Sequence, residues 1–194
     1  MTRRPSTIRL QKGSDMRRLH AVIPVLILMG GTAGQAIAAD PLLAPGAACP
    51  YATTAGASAA RQAGAMACLV TWARREAGIT QGRRIVALNR SAQMKADLIA
   101  RCGSLSHTAC GKRWNAGLRS VGSWGMAFEN LAAGSGRYSS ARAAMAGWLR
   151  SSGHRRALLE PRVTVFGVGV RLRVMVDGWR GSVWALHLGR PSTT

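Results

Sequence analysis

Two histidines and one glutamate are the residues of this chain that could carry out chemistry together. His107 and His154 lie on either side of Glu129, which belongs to the segment Phe-Glu-Asn-Leu-Ala at 128–132. Acidic residues are scarce, since the whole chain has seven. A glutamate placed between two histidine-bearing segments therefore indicates a site rather than a solvated surface charge.

These residue types suit a metal ion or a hydrogen-bonded cluster. Neutral imidazoles bind divalent ions such as Zn²⁺, so His107 and His154 are the candidate metal ligands. Glu129 would complete the ligand set, or act as a base on bound water and be the catalytic residue of an enzyme. We expect weak Zn²⁺ binding that is lost below about pH 6, as the imidazoles become protonated. The alternative is a structural cluster in which Glu129 accepts backbone N–H groups.

Other catalytic classes find no support in the motifs. The sequence has no Gly-x-Ser-x-Gly elbow, although Ser106 and Ser151 lie near the two histidines. Phosphate-binding loops, dinucleotide-binding signatures and calcium loops are also absent from it. A serine hydrolase is therefore not predicted.

The first 38 residues have the order of an export signal. A basic stretch precedes the apolar run 21–29, and small residues follow it up to Ala38. This run is too short to cross a bilayer as a stable helix. We expect cleavage after Ala38 or Ala39, with Met16 as an alternative start, and no transmembrane segment in the mature protein. An uncleaved anchor and a buried helix are the alternatives. The protein would be secreted, or held in the periplasm or cell envelope.

All four cysteines, Cys49, Cys68, Cys102 and Cys110, lie beyond this signal. An even number in an oxidising compartment favours two disulfides. Three pairings are possible, and we favour Cys49 with Cys68 and Cys102 with Cys110; the second would restrict the loop that carries His107. A cysteine zinc site is the alternative, but the chain has no Cys-x-x-Cys pair.

The chain is strongly basic, with 27 basic and seven acidic residues. Without the signal, 21 basic and six acidic residues remain, a net charge of about +15. Such a surface attracts anionic polymers, lipid headgroups or cell-wall phosphates. Nearly all the basic residues are arginines, and Ala and Gly are abundant, which is typical of a high-GC genome as much as of a nucleic-acid surface. Specific nucleic-acid binding is therefore not predicted.

The elements that must position the histidines are a coil and three helices. Residues 39–57 contain three prolines and predict a coil held by Cys49. Apolar spacing predicts helices over 58–76, over 91–101 with Ser91 as N-cap, and from Ser139 or Ser140 to about Arg150. His107 and His154 would then lie in loops that follow helix ends.

The end of the chain changes to a strand pattern. Near-alternating apolar residues over 163–174, a turn at Gly178 and a second run over 182–188 predict an antiparallel hairpin. His187 lies in the second strand, where we expect it to be packed or partly exposed rather than a metal ligand.

Four tryptophans divide between core and site. Trp148 and Trp184 are expected in the core. Trp114 and Trp124 lie in the segment 108–125, which is rich in Gly, Ser and basic residues and is predicted to be irregular. They would contact a ligand beside the cleft or fill gaps under a long loop.

The motifs together resemble the CAP superfamily, in its bacterial form. They are Ser106-His107, the Glu129-Asn130-Leu131-Ala132 segment, a helix ending in Trp148-x-x-Ser151-x-x-His154-Arg155, the Gly-Val-Gly-Val strand at 167–170, and a final tryptophan-containing strand that ends at Gly189. This superfamily comprises cysteine-rich secretory proteins, antigen 5 and pathogenesis-related proteins. The resemblance covers about residues 61–189.

The resemblance implies an α+β fold over about 58–190, a three-layer α-β-α sandwich with a small antiparallel sheet and a central cleft. It also implies that two histidines and two acidic residues line the cleft. His107, Glu129 and His154 match three of these positions, and Ser151 stands at the fourth. Phe128 replaces the usual glycine and Trp72 an early asparagine, so the resemblance does not transfer an activity.

We therefore predict an exported, monomeric CAP-type domain with a His/Glu/His cleft. Its ligand would be a small apolar or anionic molecule, a lipid or a cell-wall component, with Zn²⁺ or another divalent metal as the candidate cofactor. The alternative is a metal-dependent hydrolase acting in the cell envelope. The absence of a second carboxylate at Ser151 favours binding over catalysis.

Overall fold

The computed structural model describes residues 40–193. The expected signal, 1–38, lies outside the described residues. The α-helices of this part are α1 (Ala59–Glu76), α2 (Val86–Cys102), α3 (Ala116–Ser120), α4 (Ala141–Arg150) and α5 (Ser152–Leu158). Its strands are β1 (Arg83–Arg84), β2 (Trp124–Gly134), β3 (Val165–Val176) and β4 (Trp179–Pro191). Two short 3₁₀ turns occur at Ala109–Gly111 and Gly136–Ser139. None of the described helices has the length and hydropathy to span a membrane.

The four strands form one mixed sheet with the order β1-β3-β4-β2. The predicted hairpin is confirmed as β3 and β4, whose two-residue turn has positive φ at Asp177 (46°) and Gly178 (84°). Turns of this kind match the twist of a hairpin, and glycine adopts them without steric cost. The sheet is small and mainly antiparallel as expected, with one parallel pair formed by the short β1 and β3.

Helices cover both faces of this sheet, which confirms the α+β fold and its three layers. Even-numbered residues over 166–170 of β3 and 184–188 of β4 pack against α1 and α4 in the main core, with Trp148 and Trp184 fully inside it. Odd-numbered residues of β4, including Val183 and Ala185, pack against α2. Because successive strand side chains point to opposite faces, one hairpin serves both cores.

The α2 helix lies unusually close to β3. A Cβ atom added at Gly167 would come within 2.1 Å of the Leu88 backbone, and one at Gly169 within 2.3 Å of the Ala92 backbone. Real Cβ atoms never come this close, so only glycine fits at both positions. The Gly-Val-Gly-Val motif therefore brings α2 onto the sheet while its valines fill the opposite core.

Two helix starts agree with the sequence and one does not. Ser58 and Ser140 are the N-caps of α1 and α4, and each hydroxyl accepts a backbone N–H from the first turn. The second helix begins at Val86, not at Ser91, which lies buried inside it. Its early start follows from β1, since the Ile85 N–H still donates to the Phe166 carbonyl before the helix begins.

The segment expected to be irregular, 108–125, contains α3 and the first residues of β2. Glu129, for which the sequence predicted no element, lies on β2. His154 lies in α5, not in a loop after α4. Neither β2 nor α5 shows a strong periodic pattern in the sequence, because β2 is defined by its pairing with β4 and α5 is only two turns long.

Candidate functional site

Glu129 is held on an edge strand beside His187. In the antiparallel register of β2 and β4, Glu129 lies directly opposite His187. Directly opposed residues have their side chains on the same face of the sheet. This is the face of α2, because Leu131 and Ala185, each two residues away, pack against that helix.

The carboxylate of Glu129 is buried and has three partners. Its Oε1 lies 2.7 Å from His107 Nδ1, and its Oε2 lies 2.8 Å from His187 Nε2. Lys95 Nζ lies 3.4 Å from the same Oε2. The Glu129 side chain is 1% exposed, and that of Lys95 is 3% exposed. A buried charge is tolerated when it is paired and hydrogen-bonded, as here.

Two residues of α2 contact the partners of Glu129 and hold them in place. Ser91 Oγ lies 2.7 Å from His187 Nδ1, and Lys95 Nζ also donates to the His107 carbonyl. Ser91 and Lys95 are four residues apart and so share one helix face. We call Ser91, Lys95, His107, Glu129 and His187 the Glu129 network.

His107 is the solvent-facing member of the Glu129 network. Its side chain is 55% exposed, whereas that of His187 is fully buried. Because Nδ1 donates to Glu129, Nε2 is the ring nitrogen left for a ligand. The loop is held by the Cys102–Cys110 disulfide and by the Leu105 N–H, which donates to Asp177.

His154 approaches the same edge strand from the other layer. Its carbonyl accepts a hydrogen bond of 2.9 Å from Asn130, the residue after Glu129 on β2. Burial lowers the pKa of His154 from its usual value, and the positive charge of His107 lowers it further. Both predicted histidines thus lie beside the edge strand β2, His107 bonded to Glu129 and His154 to Asn130.

Ser151 lies at the junction of α4 and α5. Its N–H closes the last turn of α4, and its carbonyl accepts from the Arg155 N–H of α5. Position 151 thus carries a hydroxyl where the resemblance implies a carboxylate.

The chain contains the two predicted disulfides, and they join the pairs we favoured, Cys49–Cys68 and Cys102–Cys110. The first of these ties the N-terminal coil to α1.

A resident metal ion fits these residues poorly. Both oxygens of Glu129 are already engaged, and the buried Lys95 ammonium neutralises its charge. His107 and His154 alone would offer two imidazoles, fewer than the three protein ligands of a catalytic zinc. No group of three or more His, Cys, Asp or Glu side chains among residues 40–193 is arranged to hold a metal ion. Zn²⁺ binding by the two histidines remains a prediction.

The described residues as a whole carry an excess of cationic side chains. Five of the six carboxylates in residues 40–193 form an ion pair; they are Asp40 with Arg155, Glu76 with Arg75, Asp97 with Arg171, Glu129 with Lys95, and Glu160 with Arg162. The same residues contain 21 Lys and Arg. Most guanidinium groups therefore have no carboxylate partner.

A well-formed cavity in the described part lies away from the histidines. It has a volume of about 530 Å³ and lies between α3 and the start of β2. Trp114 and Trp124, the two candidates for ligand contact, both line it. His107, Glu129 and His154 line neither this cavity nor the four other well-formed cavities of residues 40–193.

Three members of the Glu129 network escaped the sequence analysis. His187 was expected to be packed, which it is, but its bond to Glu129 was missed. Ser91 was predicted as the N-cap of a helix that starts too late, and Lys95 was not singled out. One signal could have found Lys95: it is one of three lysines in the chain and falls among the apolar residues of α2.

Comparisons with known proteins agree with this fold. Residues 69–181, more than half of the chain, match CAP, the cysteine-rich secretory protein family. A search of curated proteins finds no match. Among solved structures, the chain resembles an extracellular protein from Bacillus anthracis that contains an SCP domain, with 25% identity and a TM-score of 0.51. That similarity covers 64% of this chain and 39% of the Bacillus protein, so the chain spans about two fifths of its relative's length.

Two more distant structures share the fold. One is an outer surface protein from Borrelia burgdorferi, with 17% identity, a TM-score of 0.55, and coverage of 66% of this chain and 90% of the other. The second is a cysteine-rich secretory protein from Staphylococcus aureus, with 13% identity, a TM-score of 0.51, and coverage of 70% and 41%. The match over 69–181 confirms the resemblance seen in the sequence, and the chain belongs to the CAP family of cysteine-rich secretory proteins.

Proposed function

We propose that this CAP domain is an exported binding protein whose cleft, between His107 and His154, takes the phosphate or carboxylate group of a cell-envelope component. The observation that carries the proposal is the engagement of both Glu129 oxygens inside the fold. Since Glu129 is occupied, the groups presented to a ligand are the imidazoles of His107 and His154.

Charge supports an anionic ligand. Lys95 neutralises the charge of Glu129, so the Glu129 network presents no uncompensated negative charge that would repel an anion. The arginine excess of the described residues adds a positive potential around the cleft. Relatives described as extracellular or outer surface proteins support an exported setting.

An apolar ligand and a hydrolytic reaction have less support. Apolar ligands bind in enclosed cavities, and neither the cavity beside Trp114 nor the apolar one beside Met94 is lined by His107 or His154. A metal-dependent hydrolase needs a free carboxylate as ligand or base, but that of Glu129 holds two imidazoles and an ammonium group. Binding without turnover is the function that these contacts favour.

The pH dependence separates an anion from a metal. Because burial and His107 lower the pKa of His154, this imidazole becomes positive only below its usual range. Anion binding should therefore strengthen as the pH falls from 7.5 to 5.5. Metal binding should weaken over the same interval, since protons compete for the same nitrogens.

Calorimetric titration of the exported protein with glycerophosphoglycerol, a phosphodiester whose single negative charge is the same at both pH values, and separately with Zn²⁺, tests the proposal. We expect the phosphodiester to bind several-fold more tightly at pH 5.5, and His107→Ala with His154→Ala to abolish binding. Arg61→Gln removes an exposed charge on α1 and is the matched control, which should retain it. Equal affinity in the wild type and the double variant would refute the proposal.

A further inference from the structure

The 530 Å³ groove between α3 and β2 has the composition of a binding site. Trp114, Asn115, Arg119, Ser123, Trp124 and Ser192 are its aromatic and polar lining residues. The groove is separate from the His107 and His154 cleft, although both border β2. An occupant of this groove is therefore a second ligand, beyond the proposed function.

The two tryptophans supply one fixed and one more exposed aromatic surface. Trp124 is fixed, because its Nε1 donates to the Leu118 carbonyl at 2.9 Å and its ring lies against β4. A Cβ atom at Gly189 would come within 2.9 Å of that ring, so glycine is needed to seat it. Trp114 is 39% exposed and lies on the opposite, α3 side. A rigid aromatic wall and a more exposed one face the same space.

The polar residues of the groove are mostly neutral. Asn115, Ser123 and Ser192 offer an amide and two hydroxyls, and Arg119 is the one cation among the lining residues. The Oδ1 of Asn115 is buried and has no hydrogen-bond partner within residues 40–193. An unpaired buried acceptor is unfavourable. A hydroxyl donor from a ligand would satisfy it after a small rotation of the side chain.

We propose that this groove binds a saccharide that carries a single carboxylate. Sugar rings present flat C–H faces that pack on tryptophan, and their hydroxyls match the amide and serine groups. Arg119 pairs with a carboxylate through its planar fork of donors. A cavity of this size holds about two sugar rings.

The alternatives fit the lining less well. A lipid chain needs a continuous apolar wall, which the amide, hydroxyl and guanidinium groups interrupt. A nucleic-acid strand also stacks on aromatic rings, but binding its phosphates requires several cations, and this groove provides one. The saccharide is the class that uses the aromatic, neutral polar and cationic groups of the lining together.

Fluorescence and calorimetric titrations with two probes test this inference on the exported protein. The probes are the disaccharide of N-acetylglucosamine and N-acetylmuramic acid, which has one carboxylate, and di-N-acetylchitobiose, its neutral counterpart. We expect saturable binding of both, at least five-fold tighter for the acidic disaccharide. Trp114→Ala should weaken both at least ten-fold, and Arg119→Gln should remove the preference for the acidic probe.

Tyr138→Ala is the control for loss of an exposed aromatic ring elsewhere, and it should bind like the wild type. His107→Ala should also bind normally, which separates this inference from the proposed cleft. A lack of saturable binding to both disaccharides would overturn the inference. So would unchanged affinity in Trp114→Ala, or tighter binding of a thymidine tetranucleotide than of either disaccharide.

Discussion

The two faces of the sheet are built from different materials. Toward α1 and α4 the hairpin presents large apolar residues, with Phe166, Trp184 and Leu186 buried among helix residues. Toward α2 it presents glycines and small residues, and then the buried His187. The first face stabilises the fold through the apolar surface area that it buries. The second face lets α2 approach closely enough to place Lys95 and Ser91 at the site.

This difference separates folding from function within one hairpin. The apolar face depends on the volume of its side chains, so it tolerates substitution by apolar residues of similar size. The α2 face needs particular atoms at particular distances, because the polar groups of the Glu129 network, apart from the exposed His107, are buried against one another. Substitutions on the two faces should therefore fail in different ways.

The largest effect is expected from Lys95→Met. This change leaves the Glu129 carboxylate buried without its cation, which costs about 3 to 5 kcal/mol of unfolding free energy. Urea denaturation measures it. Adding Glu129→Leu should recover most of the loss, because the remaining groups no longer surround an unpaired charge. A double variant as unstable as Lys95→Met would show that Lys95 acts through packing.

Leu186→Ala tests the opposite face. The side chain is fully buried in the main core, so its loss leaves a cavity and should cost about 2 to 4 kcal/mol. In contrast to Lys95→Met, this loss should not depend on residue 129. Combining Leu186→Ala with Glu129→Gln and measuring urea denaturation checks this, and strong non-additivity would contradict the separation of the two faces.

Gly169→Ala should have a smaller effect on stability and a specific effect on the site. The new Cβ would push the Ala92 backbone away, at a cost of about 1 to 3 kcal/mol. Since Ser91 and Lys95 flank Ala92 on α2, the contacts of His187 and Glu129 should loosen. Urea denaturation measures the cost, and hydrogen exchange of α2 amides should rise relative to those of α4. Equal exchange in both helices would contradict close packing at Gly169.

The smallest expected effect is the pH dependence caused by His154. Its pKa is lowered in the folded protein, so the unfolded chain binds the proton more readily. The stability contribution is complete above the unfolded pKa of about 6.5 and is lost as the pH falls through the lower, folded pKa. Thermal unfolding of wild type and His154→Gln between pH 7.5 and 5 should show a steeper decline for wild type. Parallel curves would contradict the lowered pKa.

The sequence predicts the apolar face well and the α2 face poorly. Periodicity identified α1, α4 and the hairpin because their buried residues repeat regularly. β2 was missed since its residues Trp-Gly-Met-Ala-Phe-Glu-Asn lack alternation, and only β4 imposes the strand. His107, Glu129 and His154 were visible as rare residue types. Lys95 and His187 were not, because their roles depend on the register of β2 with β4 and on how close α2 approaches.

Long-range ¹H–¹⁵N NMR of the histidine side chains tests the central claim, that Glu129 is occupied inside the fold and the outer imidazoles bind an anion. At pH 5.5, glycerol phosphate should shift the ring nitrogens of His107 and His154. Those of His187, bonded to Glu129 and Ser91, should not move. The account would be contradicted if glycerol phosphate shifted the ring-nitrogen signals of none of these histidines. It would also be contradicted if the His187 signals showed that Zn²⁺ at pH 7.5 breaks the bond between His187 and Glu129.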